Sequence, residues 1–274
     1  MKKNISFLEK KALEVRKTII NMAFKAGTAH LSSSLSIVDI LTVLYWDTMK
    51  ISPRKPKFPN RDRFILSKGH GVSALYSTLF HREFFSDKIL CTYCQEGSEL
   101  LGHPEYGSAS GIEATSGALG HGLSIAAGFA LVAKLDKKKY RSFIIISDGE
   151  CDEGSIWEAA LFSSHHKLDN LIAIVDYNKF QAFGKTNEVL TLEPFAKKWE
   201  SFGWGVKEID GNNILEIKKT LDLIPFNKGK PSIIIAHTIA GKGVSFAENK
   251  LEWHYKNLDK SLFEQAIKEI EEKI

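Results

Sequence analysis

Apolar positions along the chain follow two rhythms. From Phe7 to Gly27, Leu8, Ala12, Val15, Ile19 and Met22 recur at helical spacing, which predicts an amphipathic helix. Ile37 to Met49 predicts a second, with Ser36 placed to cap it. Ser52 to Asn60 carries Pro53, Pro56 and Pro59 and reads as a loop. Short, uninterrupted apolar runs mark strands: Phe64 to Leu66, Phe143 to Ile146, Leu171 to Val175 and Ile233 to Ala236, with Gly203 to Glu208 as a further strand. Helical stretches separate them: Val72 to Phe80, a Gly-rich turn feeding an Ala-rich helix over Gly117 to Lys134, Ser155 to His166, and Ile214 to Leu223. A charged amphipathic helix starts at Ser261. Strands that alternate with helices imply a mostly parallel sheet, buried on both faces by helices. The class is α/β, and residues 1–274 suffice for one domain with a sizeable core. There is no internal repeat and no low-complexity segment.

Polar residues at the strand ends carry the chemistry. Asp148 closes the Phe143 run and Asn178 follows the Leu171 run, thirty positions later, with a helix between them. In a parallel βαβ unit both side chains emerge at one edge of the sheet, on strands about 4.8 Å apart. A carboxylate and an amide supply hard oxygen donors with a single negative charge. That is too little for an all-protein cage, and it lacks the thiolate or imidazole zinc prefers. It suits Mg²⁺, which completes its octahedron with phosphate oxygens and water; Ca²⁺ or Mn²⁺ are possible substitutes. The helix from Ser155 would aim free N–H groups at the same edge, so the predicted ligand is a Mg²⁺-bound diphosphate.

Asp148-Gly149-Glu150 with Asn178 resembles the diphosphate-binding motif of thiamine diphosphate (ThDP) enzymes, with Ser147 in place of the usual first Gly. Further segments are similar to transketolase: Asp62 to Gly71 with His70, Leu101-Gly102-His103-Pro104-Glu105, the Gly-rich Thr115 to Gly122, Ala29-His30, and Trp253-His254. They occur in that family's order from about Ala12 to His254. The resemblance implies a ThDP-binding fold and ketol transfer, in which a two-carbon unit passes from a ketose (or its phosphate) to an aldose. It implies that His30, His70, His103 and His254 orient hydroxyls and shuttle protons. Gly117, Ala118, Leu119 and His121 would pack on the diphosphate, beside Gly149 and Glu150 of the motif. Phe180 stands where the family supplies a backbone carbonyl to the metal, joining Asp148 and Asn178. Glu153 stands where the family has a glutamate that reaches the subunit interface. Glu150 occupies a variable position of the motif and is expected to face solvent; Asp176 is expected to stand behind the metal ligands.

A full transketolase continues into a second ThDP-binding domain and a C-terminal domain. This chain resembles only the first part, so a split enzyme is expected. In it, an N-terminal subunit works with a complementary C-terminal subunit that carries the pyrimidine-binding domain, in an α2β2 heterotetramer. A 1-deoxyxylulose-5-phosphate synthase-like protein, the α subunit of a 2-oxo acid dehydrogenase, and a non-catalytic binding subunit stay open as alternatives. No strand is followed by Gly-x-Gly-x-x-Gly, which disfavours a nicotinamide-binding domain.

Composition changes the picture little. A formal net charge of +4, scattered along the chain, implies no nucleic-acid surface, and Arg54-Lys55-Pro56-Lys57 reads as a solvated connector. No run approaches eighteen apolar residues and no apolar segment follows Lys2 and Lys3, so neither a membrane span nor a signal peptide is expected. Three cysteines cannot pair completely, which fits a cytoplasmic protein; Cys91 and Cys94 have CxxC spacing but lack the second pair a zinc site needs.

Overall fold

The computed structural model describes residues 3–273. In chain order the elements are α1 (Ile5–Ala26), α2 (Leu31–Leu35), α3 (Val38–Val43), β1 (Arg63–Leu66), α4 (Val72–His81), α5 (Asp87–Leu90), α6 (Gly122–Leu135), β2 (Ser142–Ser147), α7 (Gly154–His165), β3 (Leu171–Tyr177), β4 (Phe180–Gln181), β5 (Gly184–Lys185), α8 (Thr186–Val189), α9 (Phe195–Ser201), β6 (Gly205–Asp210), α10 (Ile214–Leu221), β7 (Ser232–His237) and α11 (Lys260–Glu271). Five strands form one sheet in the order β1-β2-β3-β7-β6, and every pairing is parallel. Strands β4 and β5 make a separate antiparallel hairpin.

The strand pleat divides the core in two. Phe143, Ile145, Ile172, Ile174 and Ile234 point to one face, where α1, α3, α4, α10 and α11 cover them. Ile144, Ile146, Ala173, Val175, Ile233 and Ile235 point to the other, under α6, α7 and α9. Every residue of β2 and β3 is buried, which is why these strands read as continuous apolar runs rather than alternating ones. Each isoleucine fully removed from water contributes about 1.5–3 kcal/mol. The sheet is therefore a rigid platform, and the loops at its carboxyl edge inherit fixed starting points.

The expected α/β architecture holds, with differences in detail. The helix expected over Ile37 to Met49 is α3 followed by a π-helical turn, Leu44–Thr48. Ser36 does not cap it: its hydroxyl donates to Ser33 O and to Asp176, and no side chain caps α3. The Gly203 strand runs two residues later, over Gly205–Asp210. Elements α2, α5, α8, α9 and the β4-β5 hairpin had no counterpart in the apolar pattern. Among the described residues, no helix is long and apolar enough to cross a membrane.

Candidate active site

The carboxyl ends of β1, β2 and β3 converge on one edge, as the register dictates: Leu66 pairs with Ile145, and Ser147 with Asp176. Asp148 lies one residue past β2 and is fully buried. Its Oδ1 accepts from Gly149 N at 2.9 Å. Its Oδ2 accepts from Lys179 N at 2.9 Å and Thr186 Oγ1 at 2.8 Å. Burial pushes its carboxyl up to about 7, with Asp176 adding to the rise against the hydrogen bond from Thr186. Asn178 is buried one residue past β3. Its Nδ2 donates to Asp176 Oδ2 at 3.0 Å and its Oδ1 accepts from Phe180 N at 2.9 Å. Phe180 opens β4, so the hairpin starts from the Asn178 turn.

This donor set fits a hard cation. A buried carboxylate and an amide oxygen sit on adjacent strand ends, and the carboxylate ionises only with difficulty until a positive charge stands beside it. Among the described residues no three His, Cys, Asp or Glu side chains converge on a metal site, so a cation held here would take its remaining oxygens from ligand and water.

Above this edge lies the Gly-rich loop. Ser116 Oγ donates to Leu66 O at 2.5 Å and Gly120 N donates to Glu150 Oε1 at 2.9 Å. Gly117 and Gly120 have φ of 145° and 87°, in the region that favours glycine. A β-carbon on Gly117 would come within 2.9 Å of His103 Cδ2, and one on Gly120 within 2.8 Å of Glu153 Cβ. The close approach places the Gly-His-Pro segment against one end of the loop and the Glu153 turn against the other. Ala118 and His121 are exposed on this loop, with Leu119 between them partly covered.

Glu150 departs from expectation. It does not face solvent: it is fully buried and accepts from Ser67 Oγ, from Gly120 N, and from Ser147 N at 3.2 Å. Its oxygens hold the Gly-rich loop from below, so any effect on a cofactor passes through Gly120. Burial raises its pKa above the ordinary glutamate value despite those three donors. Glu153, three residues on, is exposed.

Histidines from four distant segments meet. The ring centroids of His30 and His70 are 5.3 Å apart, those of His30 and His254 5.0 Å, and those of His70 and His254 5.4 Å. His30 adopts φ 65°, and its N–H donates to His254 O at 3.1 Å. That strained conformation for a β-carbon-bearing residue is held by the fold around it. His30 Nδ1 is buried and has no hydrogen-bond partner. His103 is exposed on the Gly117 side and close enough for its charge to act on both His30 and His70. Burial, then neighbouring positive charge, lowers the proton affinity of His30 and His70, and brings His254 down to about 4. At neutral pH these three rings are neutral, each with one donor and one acceptor nitrogen.

A narrow cleft lined by Ser33, Asn178, Phe180 and His254 brings the amide at the end of β3 beside one histidine of the cluster. Roomier cavities lie elsewhere: the one between α1 and the Cys91 turn, about 210 Å³, and the one beside Arg16 and Asp39, neither lined by a histidine of the cluster. Of the residues named from the sequence, Asp148 and Asn178 stand at the ends of β2 and β3, Gly117 and Gly120 lie against His103 and Glu153, and His30, His70 and His254 pack together. Sequence reasoning missed Lys68, Ser33, Ser67 and Thr238. Lys68 is fully buried and paired with Asp176, and Ser33 Oγ is 3.4 Å from His254 Nδ1. A lysine inside a Ser-x-Gly-His segment was the available signal.

Residues 9–273 match the family model described as transketolase, thiamine diphosphate binding domain. The chain is 42% identical over 270 residues to one subunit of the apulose-4-phosphate transketolase of Phocaeicola vulgatus, covering 98% of this chain and 96% of that protein. It is 43% identical over 264 residues to "6-deoxy-6-sulfo-D-fructose transketolase subunit SqwG" of Clostridium sp. strain MSTE9, covering 96% of each. The crystal structure of transketolase from Campylobacter jejuni superposes with a TM-score of 0.92 at 31% identity, covering 98% of this chain and 43% of that one. A family model over residues 9–273 and relatives above 40% identity along nearly the whole chain place it together: the chain belongs to the transketolase family, through its thiamine diphosphate binding domain.

Proposed function

We propose that this chain is the N-terminal subunit of a two-subunit, ThDP- and Mg²⁺-dependent transketolase. The reading assigns residues 1–274 to a single diphosphate-binding domain and the reaction to transfer of a two-carbon ketol unit from a ketose or its phosphate to an aldose. The observation that carries it is the proximity of two half-sites: oxygen donors at the adjacent ends of β2 and β3, with Asn178 lining one cleft with His254, and His254 packed in turn against His30 and His70. Relatives of the same length are named as transketolase subunits, which favours a split enzyme.

In this reading Asp148, Asn178 and the Phe180 carbonyl hold Mg²⁺. Gly117, Ala118, Leu119 and His121 lie along the diphosphate with Gly149, while Glu150 fixes the loop that carries them. Bound ThDP supplies the electron sink that lets a carbon–carbon bond next to a carbonyl break. The chain's own residues orient and move protons. His30, His70 and His254, kept neutral by burial, accept and donate hydrogen bonds to sugar hydroxyls without holding a fixed charge. His103 stands at the Gly117 side of the same space and serves proton transfer to the reacting oxygen.

The second subunit has a surface to meet. On α6, Ile125, Val132 and Leu135 are exposed, and on the adjoining α7, Leu161 and Phe162; Phe183, at the tip of the β4-β5 hairpin, is 88% exposed. Apolar surface of this extent favours burial against a partner. The partner is the complementary C-terminal subunit bearing the pyrimidine-binding domain, in an α2β2 assembly, and Glu153 faces it. A cytoplasmic location accords with three free cysteines.

The test is reconstitution. The isolated chain should show no ketol transfer with any donor–acceptor pair, and adding the second subunit should restore turnover. Robust transfer by the isolated chain would sink the split-subunit reading.

A further inference from the structure

Lys68 and Asp176 form an ion pair in which neither side chain has any exposure. Lys68 lies two residues past β1, and its ammonium reaches across the end of β2 to the last turn of β3. Taking both charges out of water is costly, and an apolar pair of similar volume is often no less stable. Stability alone therefore does not account for it.

The arrangement around Asp176 is saturated. Its Oδ2 accepts from Lys68 Nζ, from Ser36 Oγ at 2.8 Å and from Asn178 Nδ2 at 3.0 Å, and its Oδ1 accepts from Thr238 Oγ1. Four segments that frame the cleft thus share one carboxylate: the turn after β1, the α2–α3 junction, the Asn178 turn and the stretch after β7. An amide has two nearly isosteric ends, one an acceptor and one a donor. An acceptor-only carboxylate beside Asn178 draws the NH₂ end toward itself, which leaves the oxygen facing Phe180 and the cleft. The opposite flip would set an NH₂ where a cation needs an oxygen. Lys68 pairs with the Asp176 carboxylate, holds it in place beside the Asn178 NH₂, and offsets the charge that would otherwise compete with Asp148 for the cation.

We propose that Lys68 and Asp176 are positioning residues of the cation site, acting together to lock the Asn178 amide with its oxygen presented to the metal. The proposal rests on the reading of Asn178 as a metal ligand. The same ammonium stands near the histidines: after burial, it is among the charges that lower the proton affinity of His30, His70 and His254.

The experiment pairs the chain with its second subunit. It reads the Mg²⁺ concentration that half-saturates ThDP binding, followed by intrinsic tryptophan fluorescence and calorimetry. Lys68→Met combined with Asp176→Leu removes both charges together and preserves bulk, which protects folding. Losing outer partners of a metal ligand weakens metal binding by about 10- to 100-fold, and the half-saturating Mg²⁺ should rise by that factor, whereas KM for the sugar donor at saturating metal should stay within about 3-fold. Ser36→Ala, which spares the ion pair, should raise half-saturation by a smaller factor. Lys68→Arg should recover most of the wild-type value. A folded double variant with wild-type metal dependence overturns the proposal. Should the double variant fail to fold, unchanged metal dependence in Ser36→Ala and in Lys68→Arg's neutral counterpart Lys68→Gln overturns it instead. If the wild-type complex itself binds ThDP without regard to Mg²⁺, the metal reading falls first, and the proposal with it.

Discussion

Glu150 and Glu153 lie three residues apart and should fail in opposite ways. Replacing Glu150 by Ala strips the acceptor from two buried backbone N–H groups, Gly120 at 2.9 Å and Ser147 at 3.2 Å, and from the Ser67 hydroxyl. A buried donor left without a partner costs about 1–3 kcal/mol. Two N–H groups give roughly 2–6 kcal/mol, offset in part because the substitution also removes a carboxylate that burial disfavours, as its raised pKa shows. A net loss of about 3 kcal/mol is expected, which for a chain of this size lowers the melting temperature by about 6–12 °C. The Gly-rich loop loses its anchor at Gly120, so ThDP affinity should fall together with stability. Glu150→Gln keeps one accepting oxygen but turns an NH₂ toward an N–H donor, and should fall between Ala and wild type. Glu153→Gln changes an exposed side chain. Its melting temperature should stay within about 1–2 °C of wild type, the range of an ordinary surface substitution, while turnover of the two-subunit complex drops. The assay is differential scanning calorimetry of the isolated chain, paired with ThDP titration of the complex. A Glu150→Ala chain that melts with wild type refutes the hydrogen-bond reasoning. A Glu153→Gln complex with full turnover refutes the interface role.

Other expectations follow from the same edge of the sheet. Asp148→Ala should abolish Mg²⁺-dependent ThDP binding in calorimetry of the complex, since it deletes the anionic donor; unchanged affinity would mean the diphosphate lies elsewhere. His103→Ala should leave ThDP affinity within a few-fold and lower turnover by about 10²-fold, the low end for a lost proton-transfer group, because the imidazole matters most in the transition state. Normal turnover with the true substrates would make His103 a structural turn residue. Acid should destabilise the chain through its histidines. His254 binds its proton near 4 when folded and near the ordinary histidine value when unfolded, so the unfolded chain takes up more protons between those values and stability falls as pH drops through that window. His30 and His70 shift in the same direction. Asp148 has the opposite sign: raised to about 7, it holds a proton in the folded chain that the unfolded chain has released, so its contribution falls as pH rises from about 4 toward 7. His254→Asn should therefore flatten the acid limb in urea melts below pH 6.5, and an unaltered acid limb would show that the ring is already charged in the folded chain.

The sheet is legible because β2, β3 and β7 are buried on both faces, so that Phe143 to Ile146, Leu171 to Val175 and Ile233 to Ala236 run without a polar residue. The sequence concealed α2 because Leu31–Leu35 carries three serines, and a serine run reads as a turn. Those serines are buried with partners supplied by the tertiary fold: Ser32 Oγ donates to Trp253 O at 3.1 Å, and Ser33 meets His254. Asp148, Asn178 and the histidines were recognisable from their segments, yet only the resemblance, not any spacing, brought His30 and His254 together across more than two hundred residues. The buried charges were the real blind spot. Glu150 is expected to face solvent and Lys68 draws no separate reading, because Gly120 lies 30 positions from the first and Asp176 108 positions from the second. Local pattern cannot anticipate a charge whose counterpart arrives from another strand.

The loops at the carboxyl edge are tied down by the protein itself. Ser116 is bonded to Leu66, Gly120 to Glu150, Ser155 Oγ to Gly120 O at 2.9 Å, and Lys179 to Asp148. The ordering cost of that surface is therefore met during folding rather than at the moment a second subunit or a diphosphate arrives. Association needs little rearrangement of this half, and the entropy penalty of about 0.5–1.5 kcal/mol for each side chain immobilised on binding falls mainly on the exposed groups, Glu153, Phe183 and the α6–α7 residues. A chain built this way behaves as one finished half of a mould: it can be made separately, stored, and closed against its counterpart without having to be reshaped.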